Sequence, residues 1–169
     1  MKVLETERLI LRWMSAGDAE FILELLNDPD WVRFIGDKGV KTVEAARAYI
    51  QQGPTAMIVR HGFGLYLTEL KESGVPIGMC GLIKRDGLDD VDIGFAFLAK
   101  YREKGYAFEA AAATLEYGMK TLKLPRVVAI TMPDNRSSIR LLEKLGMRFE
   151  RPVRLPGDAE ELSLFAIDA

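Results

Sequence analysis

Residues 102–107, with the sequence R-E-K-G-Y-A, place two cations and a glycine at the start of a helical pattern. They follow an apolar, strand-like run over 91–98 and precede an alanine-rich, helix-like run over 106–122. The first turn of a helix carries backbone N–H groups without intrahelical acceptors, and the helix dipole adds partial positive charge there. Gly105 allows an anion to approach the backbone closely, and the two cations add full charges. This spacing predicts a binding site for a phosphate or pyrophosphate.

A second strand-to-helix junction lies at residues 133–138, P-D-N-R-S-S. Asn135 is a favourable helix N-cap residue, and Gly146 suits the end of that helix. The helix over 106–122, with the strands before and after it, reads as a β-α-β unit, in which the two strands are parallel. Both junctions then lie side by side at the C-terminal ends of the strands, where open α/β sheets bind ligands. We expect side chains from both junctions to face one ligand.

The remaining pattern predicts a mixed α/β sheet, antiparallel in its N-terminal part and parallel around the loop at 102–107. Two N-terminal helices are expected, one over 15–27 and one that begins at Thr42 and ends at Gly53 and Pro54. With the helix over 106–122, the helix expected at 137–145 is the fourth. The expected strands are those at 8–13, 63–70, 76–84, 91–98, 126–132, 147–154 and 162–167.

Length and composition are those of a globular chain. With 169 residues, 49% hydrophobic and 28% charged, the sequence favours one domain over residues 1–169. The net charge of −2 disfavours nucleic acid as a partner. The single cysteine, Cys80, excludes an intrachain disulfide and indicates a reducing compartment. Neither a signal-peptide pattern nor an apolar run of membrane-spanning length is present, so we expect a cytoplasmic protein without a membrane partner.

Several segments, in order along nearly the whole chain, resemble one known family. The loop at 102–107 fits the pattern R-x-x-G-x-A, and Asn135-x-x-Ser138 is followed by L-L-E-K-L-G-M at 141–147. The chain is similar in these motifs to the GNAT superfamily of acyl-CoA-dependent N-acyltransferases. The segments at 5–12, 27–35, 42–46 and 109–110 resemble its RimJ/RimL-like branch. That branch includes N-terminal acetyltransferases of ribosomal proteins.

The resemblance implies acetyl-CoA as a cosubstrate, no metal, and a splayed pair of strands that admits the pantetheine arm. In this family, backbone groups at the end of the first splayed strand bind the arm and the loop binds the pyrophosphate. The second junction lies along the arm. Carried onto this chain, the implied cofactor-binding residues are Phe97, Leu98, Arg102, Lys104, Gly105, Tyr106, Ala107, Asn135 and Ser138.

The implied reaction is direct attack of a primary amine on the thioester, without a covalent enzyme intermediate. It requires an acid for the thiolate and a base for the amine. Many family members place a Tyr acid where this chain has Leu142, and a strand carboxylate where it has Ile130. We expect Ser138 as the acid and Asp92 as the base, although helix capping and an exposed strand end would also explain these two residues. A solvent-derived base is an alternative, because the pKa of an amine falls on desolvation.

By analogy with the family, the two N-terminal helices and their link form the acceptor pocket. Neither an acidic cluster nor a basic groove selects one acceptor, so a protein N-terminus and a small-molecule amine both remain open. A homodimer is compatible with the family. The residues expected to line the pocket, each of which would also suit a core, are Trp31, Phe34, Ile35 and Tyr49.

Two other functions are compatible with parts of the sequence. The missing Tyr and strand carboxylate would suit a non-catalytic acyl-CoA-binding sensor or interaction module. The strand–loop–helix pattern would also suit a nucleotide-binding Rossmann-type domain. That reading is disfavoured because the G-x-G-x-x-G pattern is absent and the first strands read as antiparallel.

Overall fold

One eight-stranded sheet organises the molecule, and the computed structural model describes all residues from 1 to 169. None of its helices is long and apolar enough to cross a bilayer. The strands are β1 (Lys2–Glu5), β2 (Leu9–Arg12), β3 (Leu65–Leu70), β4 (Pro76–Ile83), β5 (Val91–Phe97), β6 (Arg126–Thr131), β7 (Arg148–Val153) and β8 (Leu162–Asp168). The α-helices are α1 (Ala19–Leu26), α2 (Pro29–Phe34), α3 (Val43–Ile50), α4 (Ala56–His61), α5 (Tyr106–Glu116) and α6 (Arg136–Lys144).

The strand order is β1-β2-β3-β4-β5-β6-β8-β7. All neighbouring strands are antiparallel except β5 and β6, which α5 connects as a parallel pair. The expected mixed α/β sheet, antiparallel first and parallel around the loop before α5, is therefore confirmed. The last strand, β8, lies between β6 and β7 because the β7–β8 hairpin folds back onto the edge of β6.

Three elements differ from the sequence-based expectation, and the first is α2, a six-residue helix between the two expected N-terminal helices. The first residues of the chain form β1, which pairs with β2 as an edge hairpin. Pro54 does not end the helix that begins at Thr42, because the chain passes through a wide π turn, Gln51–Thr55, directly into α4. A π turn interrupts the i→i−4 hydrogen-bond ladder, and this local change accommodates the missing N–H of proline. The expected start of that helix is confirmed, since Thr42 Oγ1 accepts the Ala45 N–H at 3.0 Å.

Helices cover both faces of the sheet and make two separate cores. On one face, α1, α2 and α3 bury a cluster that includes Ile22, Trp31 and Ala46. On the other face, Ala110 and Ala111 of α5 are fully buried against the strands, which shows how a helix with small side chains approaches the sheet closely. Cys80 lies in this second core, where burial raises the pKa of its thiol to about 12. The thiol is therefore neutral at physiological pH and is a packing group.

The β1–β2 hairpin holds the first turn of α5 through one carboxylate. Glu109 accepts hydrogen bonds from Thr6 Oγ1 at 2.5 Å, from the Arg8 backbone N–H at 2.8 Å and from Arg8 Nε at 2.7 Å. Arg8 also donates to the Lys104 carbonyl oxygen at 3.0 Å, and its guanidinium lies over the Tyr106 ring, 4.3 Å from the centroid. These contacts fix the β1–β2 hairpin to the start of α5, although Arg8 and Glu109 are about 100 residues apart in sequence.

We predict that Glu109→Gln lowers the free energy of unfolding by about 1–3 kcal/mol, because the amide cannot accept all three hydrogen bonds and loses the charge that faces Arg8. Urea denaturation followed by circular dichroism measures this change. The matched control is Glu116→Gln on the same helix, where the exposed pair with Lys120 should contribute less than about 0.5 kcal/mol. Equal losses in both variants would contradict a special role for the Glu109 contacts.

Candidate functional site

The parallel pairing of β5 and β6 stops after two positions, and the strands then separate. Val91 pairs with Val127 and Asp92 with Val128, and no later residue of β5 pairs with β6. A cleft of about 830 Å³ lies at the C-terminal end of β5. Its lining comes from the end of β5 with the loop at 102–107, from α6 and the residues before it, and from α2.

The end of β5 turns alternate backbone groups toward the gap. The Leu98 N–H donates to the Ile77 carbonyl oxygen at 3.0 Å, so the backbone of Leu98 is bonded to the β4 side. Backbone groups alternate between the two edges of a strand, and those of Phe95 and Phe97 therefore face the side on which β6 has separated. Phe97 lines the cleft, so contact of its N–H with an extended ligand stays a prediction that the geometry allows. Leu98 does not line the cleft, and its N–H is already bonded to Ile77.

The loop before α5 forms a cradle of free backbone donors. None of the six N–H groups from 103 to 108 donates to an acceptor within the protein. Gly105 begins the helix with a φ of +85°, and a Cβ atom there would lie 3.1 Å from Arg8 Nη2. Gly105 and Ala107 both line the cleft. Consecutive free donors at a helix N-terminus suit a multiply charged anion such as pyrophosphate.

Asn135 and Ser138 lie in the lining of the cleft at the start of α6. Asn135 Oδ1 accepts the Ser138 backbone N–H at 3.3 Å, which makes Asn135 the helix N-cap. This bond leaves the Asn135 amide nitrogen and the Ser138 hydroxyl without partners inside the protein. Both side chains are half-buried. A ligand in the cleft therefore meets two uncommitted polar groups here.

A row of cations on α6 also lines the cleft and was missed by the sequence reasoning. Arg136, Arg140 and Lys144 recur at four-residue intervals, so they share one face of the helix. None of the three forms an ion pair within the protein. Lys144 Nζ lies 4.3 Å from the centroid of the Phe108 ring, which joins α6 to the first turn of α5. The spacing of basic residues after Asn135 was the available signal.

Comparison with known proteins agrees with this geometry. Residues 8–148 match the family model described as Acetyltransferase (GNAT) domain. The chain belongs to the GNAT acetyltransferase family. It is 33% identical over 147 residues to the uncharacterized N-acetyltransferase YnaD of Bacillus subtilis (strain 168), covering 87% of this chain and 83% of that protein. It is 31% identical over 88 residues to the ribosomal protein uS5-alanine N-acetyltransferase of Escherichia coli (strain K12), covering 52% of this chain and 45% of that protein.

Solved structures show the same GNAT fold. A GNAT-family acetyltransferase from Bacillus anthracis superposes with a TM-score of 0.81 at 32% identity, covering 99% of this chain and 98% of that one. RimL, a ribosomal L7/L12 alpha-N-protein acetyltransferase in complex with coenzyme A, superposes with a TM-score of 0.82 at 15% identity, covering 99% and 98% of the two chains. The protein is accordingly an acyl-CoA-dependent N-acyltransferase.

Within this GNAT cleft, the side chains of Arg102, Lys104 and Tyr106 have different surroundings. Arg102 lines the cleft, but its guanidinium contacts Phe97 O, Asp28 and Asp30. Lys104 is exposed and lies outside the lining residues. The Tyr106 ring packs under the Arg8 guanidinium and is outside the lining as well. The free anion donors of this loop are therefore its backbone N–H groups.

On the α2 side of the cleft, three of the four expected acceptor residues line the site. Trp31, Phe34 and Ile35 border the cleft, whereas Tyr49 of α3 does not. Burial raises the pKa of Tyr49 to about 12, so it stays neutral. Trp31 is 6% exposed, and its indole N–H is buried without a partner. This nitrogen is closed off from solvent, so a ligand in the cleft does not reach it in this structure.

Asp92, the expected base, lies outside the cleft lining, at the last paired position of β5 and β6. Its side chain is 1% exposed, and both carboxylate oxygens accept from Arg85 Nε, at 3.2 and 3.1 Å. The sequence suggested an exposed strand end as the alternative, and the carboxylate is instead buried. Burial raises the pKa of Asp92 to about 6, although Arg85 opposes the shift. No group of three or more His, Cys, Asp or Glu side chains is arranged to hold a metal ion.

We predict that Asp92 makes folding depend on pH between about 4 and 6. Its pKa is about 6 in the folded protein and 3.8 in the unfolded chain, so the folded state binds more protons in this interval. Rising pH through this interval therefore destabilises the wild type relative to Asp92→Asn, by about 3 kcal/mol in total. Urea denaturation of both proteins at a series of pH values measures the difference. A difference that stays constant with pH would contradict the raised pKa.

Proposed function

We propose that the protein transfers an acetyl group from acetyl-CoA to a primary amine, either a protein N-terminus or a small-molecule amine, by direct attack within a ternary complex. The observation that carries the proposal is the row of six free backbone N–H groups at 103–108, beside the point where β5 and β6 separate. A multiply charged cosubstrate needs several such donors together, because each exposed helix-terminus charge interaction contributes only about 0.3–1 kcal/mol. We also infer that residues 1–169 form one acetyltransferase domain, since both cores share one sheet.

The chain supplies the chemistry mainly by orientation. The β6-facing N–H groups of Phe95 and Phe97 polarise the thioester carbonyl oxygen, on which negative charge develops as the amine attacks. The Ser138 hydroxyl donates a hydrogen bond to the departing thiolate sulfur, directly or through water, and the sulfur takes its proton from solvent. The buried neutral thiol of Cys80 takes no part, which agrees with a reaction without a covalent enzyme intermediate.

The amine loses its proton to solvent in this proposal. Asp92 is paired with Arg85 and lies outside the cleft lining, so its position does not favour direct contact with an acceptor amine. An ammonium group desolvated against Trp31 and Phe34 has a lowered pKa, because burial disfavours the charged form. A modest fraction of neutral amine at neutral pH is then sufficient for attack.

Two relatives support an N-terminal amine as the acceptor. One is named as an alanine N-acetyltransferase of ribosomal protein uS5, and RimL is named as an alpha-N-protein acetyltransferase of ribosomal L7/L12. The α2 side of the cleft suits such an acceptor, because Trp31, Phe34 and Ile35 line it and Ile35 is 48% exposed. Both an extended peptide and a small amine with an apolar body can pack against these side chains.

Release of free CoA in the presence of an amine panel tests the proposal. Peptides with N-terminal alanine or serine, their N-acetylated counterparts, and small primary amines are incubated with acetyl-CoA, and the new thiol is measured. We expect release with at least one free amine and none with the blocked peptides. Ser138→Ala should lower kcat about tenfold without changing the Kd for acetyl-CoA, and the neighbouring Ser137→Ala serves as the control. Acetyl-CoA binding without thiol release from any amine would contradict catalysis.

We predict that the cationic face of α6 adds to acetyl-CoA affinity. The double variant Arg140→Gln and Lys144→Gln should raise the Kd about tenfold at low salt, and by less at high salt, because screening already weakens these exposed charges. Calorimetric titration measures both values. The matched control is Arg148→Gln with Arg151→Gln on β7, which removes the same charge outside the cleft lining. An equal loss in the control would mean that overall charge, and not the position of these side chains, sets the affinity.

A further inference from the structure

Arg102 joins three parts of the molecule that meet at the cleft. Its Nε donates to the Phe97 carbonyl oxygen at 2.9 Å, at the end of β5. Its two terminal nitrogens donate to Asp28 Oδ1 at 3.1 Å and to Asp30 Oδ2 at 2.5 Å, at the start of α2. It directly precedes the cradle of free N–H groups at 103–108. One planar cation therefore connects the cofactor side of the cleft with the acceptor side.

The surroundings of this guanidinium suit carboxylates better than a phosphate. Asp28 and Asp30 place two negative charges beside it, so an approaching anion would meet net repulsion. The Asp28 side chain is only 10% exposed, and a carboxylate with so little access to water requires a partner that neutralises it. Three of the five guanidinium N–H donors are already used in a planar arrangement that a lysine cannot reproduce.

The helix that Arg102 holds cannot be stable by itself. α2 has six residues, and helices this short do not persist in water without tertiary contacts. Asp28 Oδ1 accepts the backbone N–H groups of Asp30 and Trp31, at 2.9 and 3.3 Å, and caps the helix. The same oxygen atom accepts the bond from Arg102. The cap of α2 and its attachment to the end of β5 thus depend on one carboxylate.

We propose that Arg102 is a positioning residue for the acceptor side of the cleft. It fixes α2, and with it Trp31, Phe34 and Ile35, against the end of β5 that faces the reacting carbonyl. In this proposal the backbone of the loop binds the anion, and the Arg102 side chain orders the acceptor side of the cleft. This inference rests on the proposed function for its catalytic meaning, while the ordering of α2 by Arg102 is measurable without any substrate.

Hydrogen–deuterium exchange of α2 and calorimetric titration with acetyl-CoA test the proposal together. The variants are Arg102→Ala, Arg102→Lys and Asp28→Asn; the last keeps a good capping residue and removes only the charge that faces Arg102. We expect amides 30–35 to exchange about tenfold faster in all three variants, while the Kd for acetyl-CoA stays within about threefold of the wild type. Thermal unfolding confirms that each variant is folded.

Lys104→Ala is the matched control, because it removes a cation from the same loop that forms no ion pair within the protein. It should leave exchange in α2 unchanged. The proposal is overturned if Arg102→Ala raises the Kd tenfold or more with unchanged α2 exchange, since that result identifies a phosphate ligand. Tighter acetyl-CoA binding by Asp28→Asn, again with unchanged α2 exchange, would have the same meaning. Failure of the wild type to bind acetyl-CoA would refute the proposed function and leave the exchange result to decide the role of Arg102.

Kinetics with an amine found in the thiol-release assay separates positioning from general stability. Arg102→Lys should raise the KM for the amine and lower kcat, with the KM for acetyl-CoA nearly unchanged. Glu109→Gln is a useful comparison, because it loosens the first turn of α5 from the other side and does not contact α2. Equal changes in both KM values for Arg102→Lys would contradict a selective role on the acceptor side.

Discussion

The whole site depends on the early end of the β5–β6 ladder. Two neighbouring strands of a sheet normally satisfy each other's backbone groups along their length, and buried groups left without partners are strongly unfavourable. Here the pairing ends after Asp92 and Val128, so the rest of β5 keeps an open edge inside the molecule. Part of that edge is satisfied internally, by Arg102 at the Phe97 carbonyl oxygen. The remainder is available to a ligand that can lie between the strands as a substitute for the missing ladder.

The two faces of the sheet contribute different parts of the cleft. The helices after β5, α5 and α6, contribute the backbone cradle, the N-cap and the cationic face. The helices before β3 contribute the apolar wall with Trp31. Contacts between distant segments hold the two sets in register: Glu109 ties the cradle to the β1–β2 hairpin, and Arg102 ties it to α2. In the proposed function, the fold therefore orients cofactor and acceptor groups through different parts of the chain that meet at the end of β5.

Local patterns in the sequence were enough to predict the strands and the two strand-to-helix junctions around the site, but not the helix α2. Alternation and turn residues indicated the meander, and the glycine and asparagine at the two junctions indicated the cradle and the N-cap, because those effects act within a few residues. Long-range partners were not accessible in this way. The pairing of Arg102 with Asp28 spans 74 positions, and the burial of Asp92 against Arg85 depends on how a turn packs on the sheet. The motif located the arginine correctly and could not show which of two anions it faces.

The cradle consists of main-chain atoms, and this has a consequence for how the protein tolerates change. Every residue type except proline supplies the same N–H donor, so the side chains at 103–108 other than Gly105, whose φ of +85° favours glycine, can vary without removing a donor. An alanine scan across this segment would leave the proposed anion donors in place and would report mainly on neighbouring contacts. Such a site is sensitive to changes that remove a backbone N–H, such as proline or an ester linkage at a single position. Sequence divergence in the loop is therefore a poor measure of divergence in what it binds.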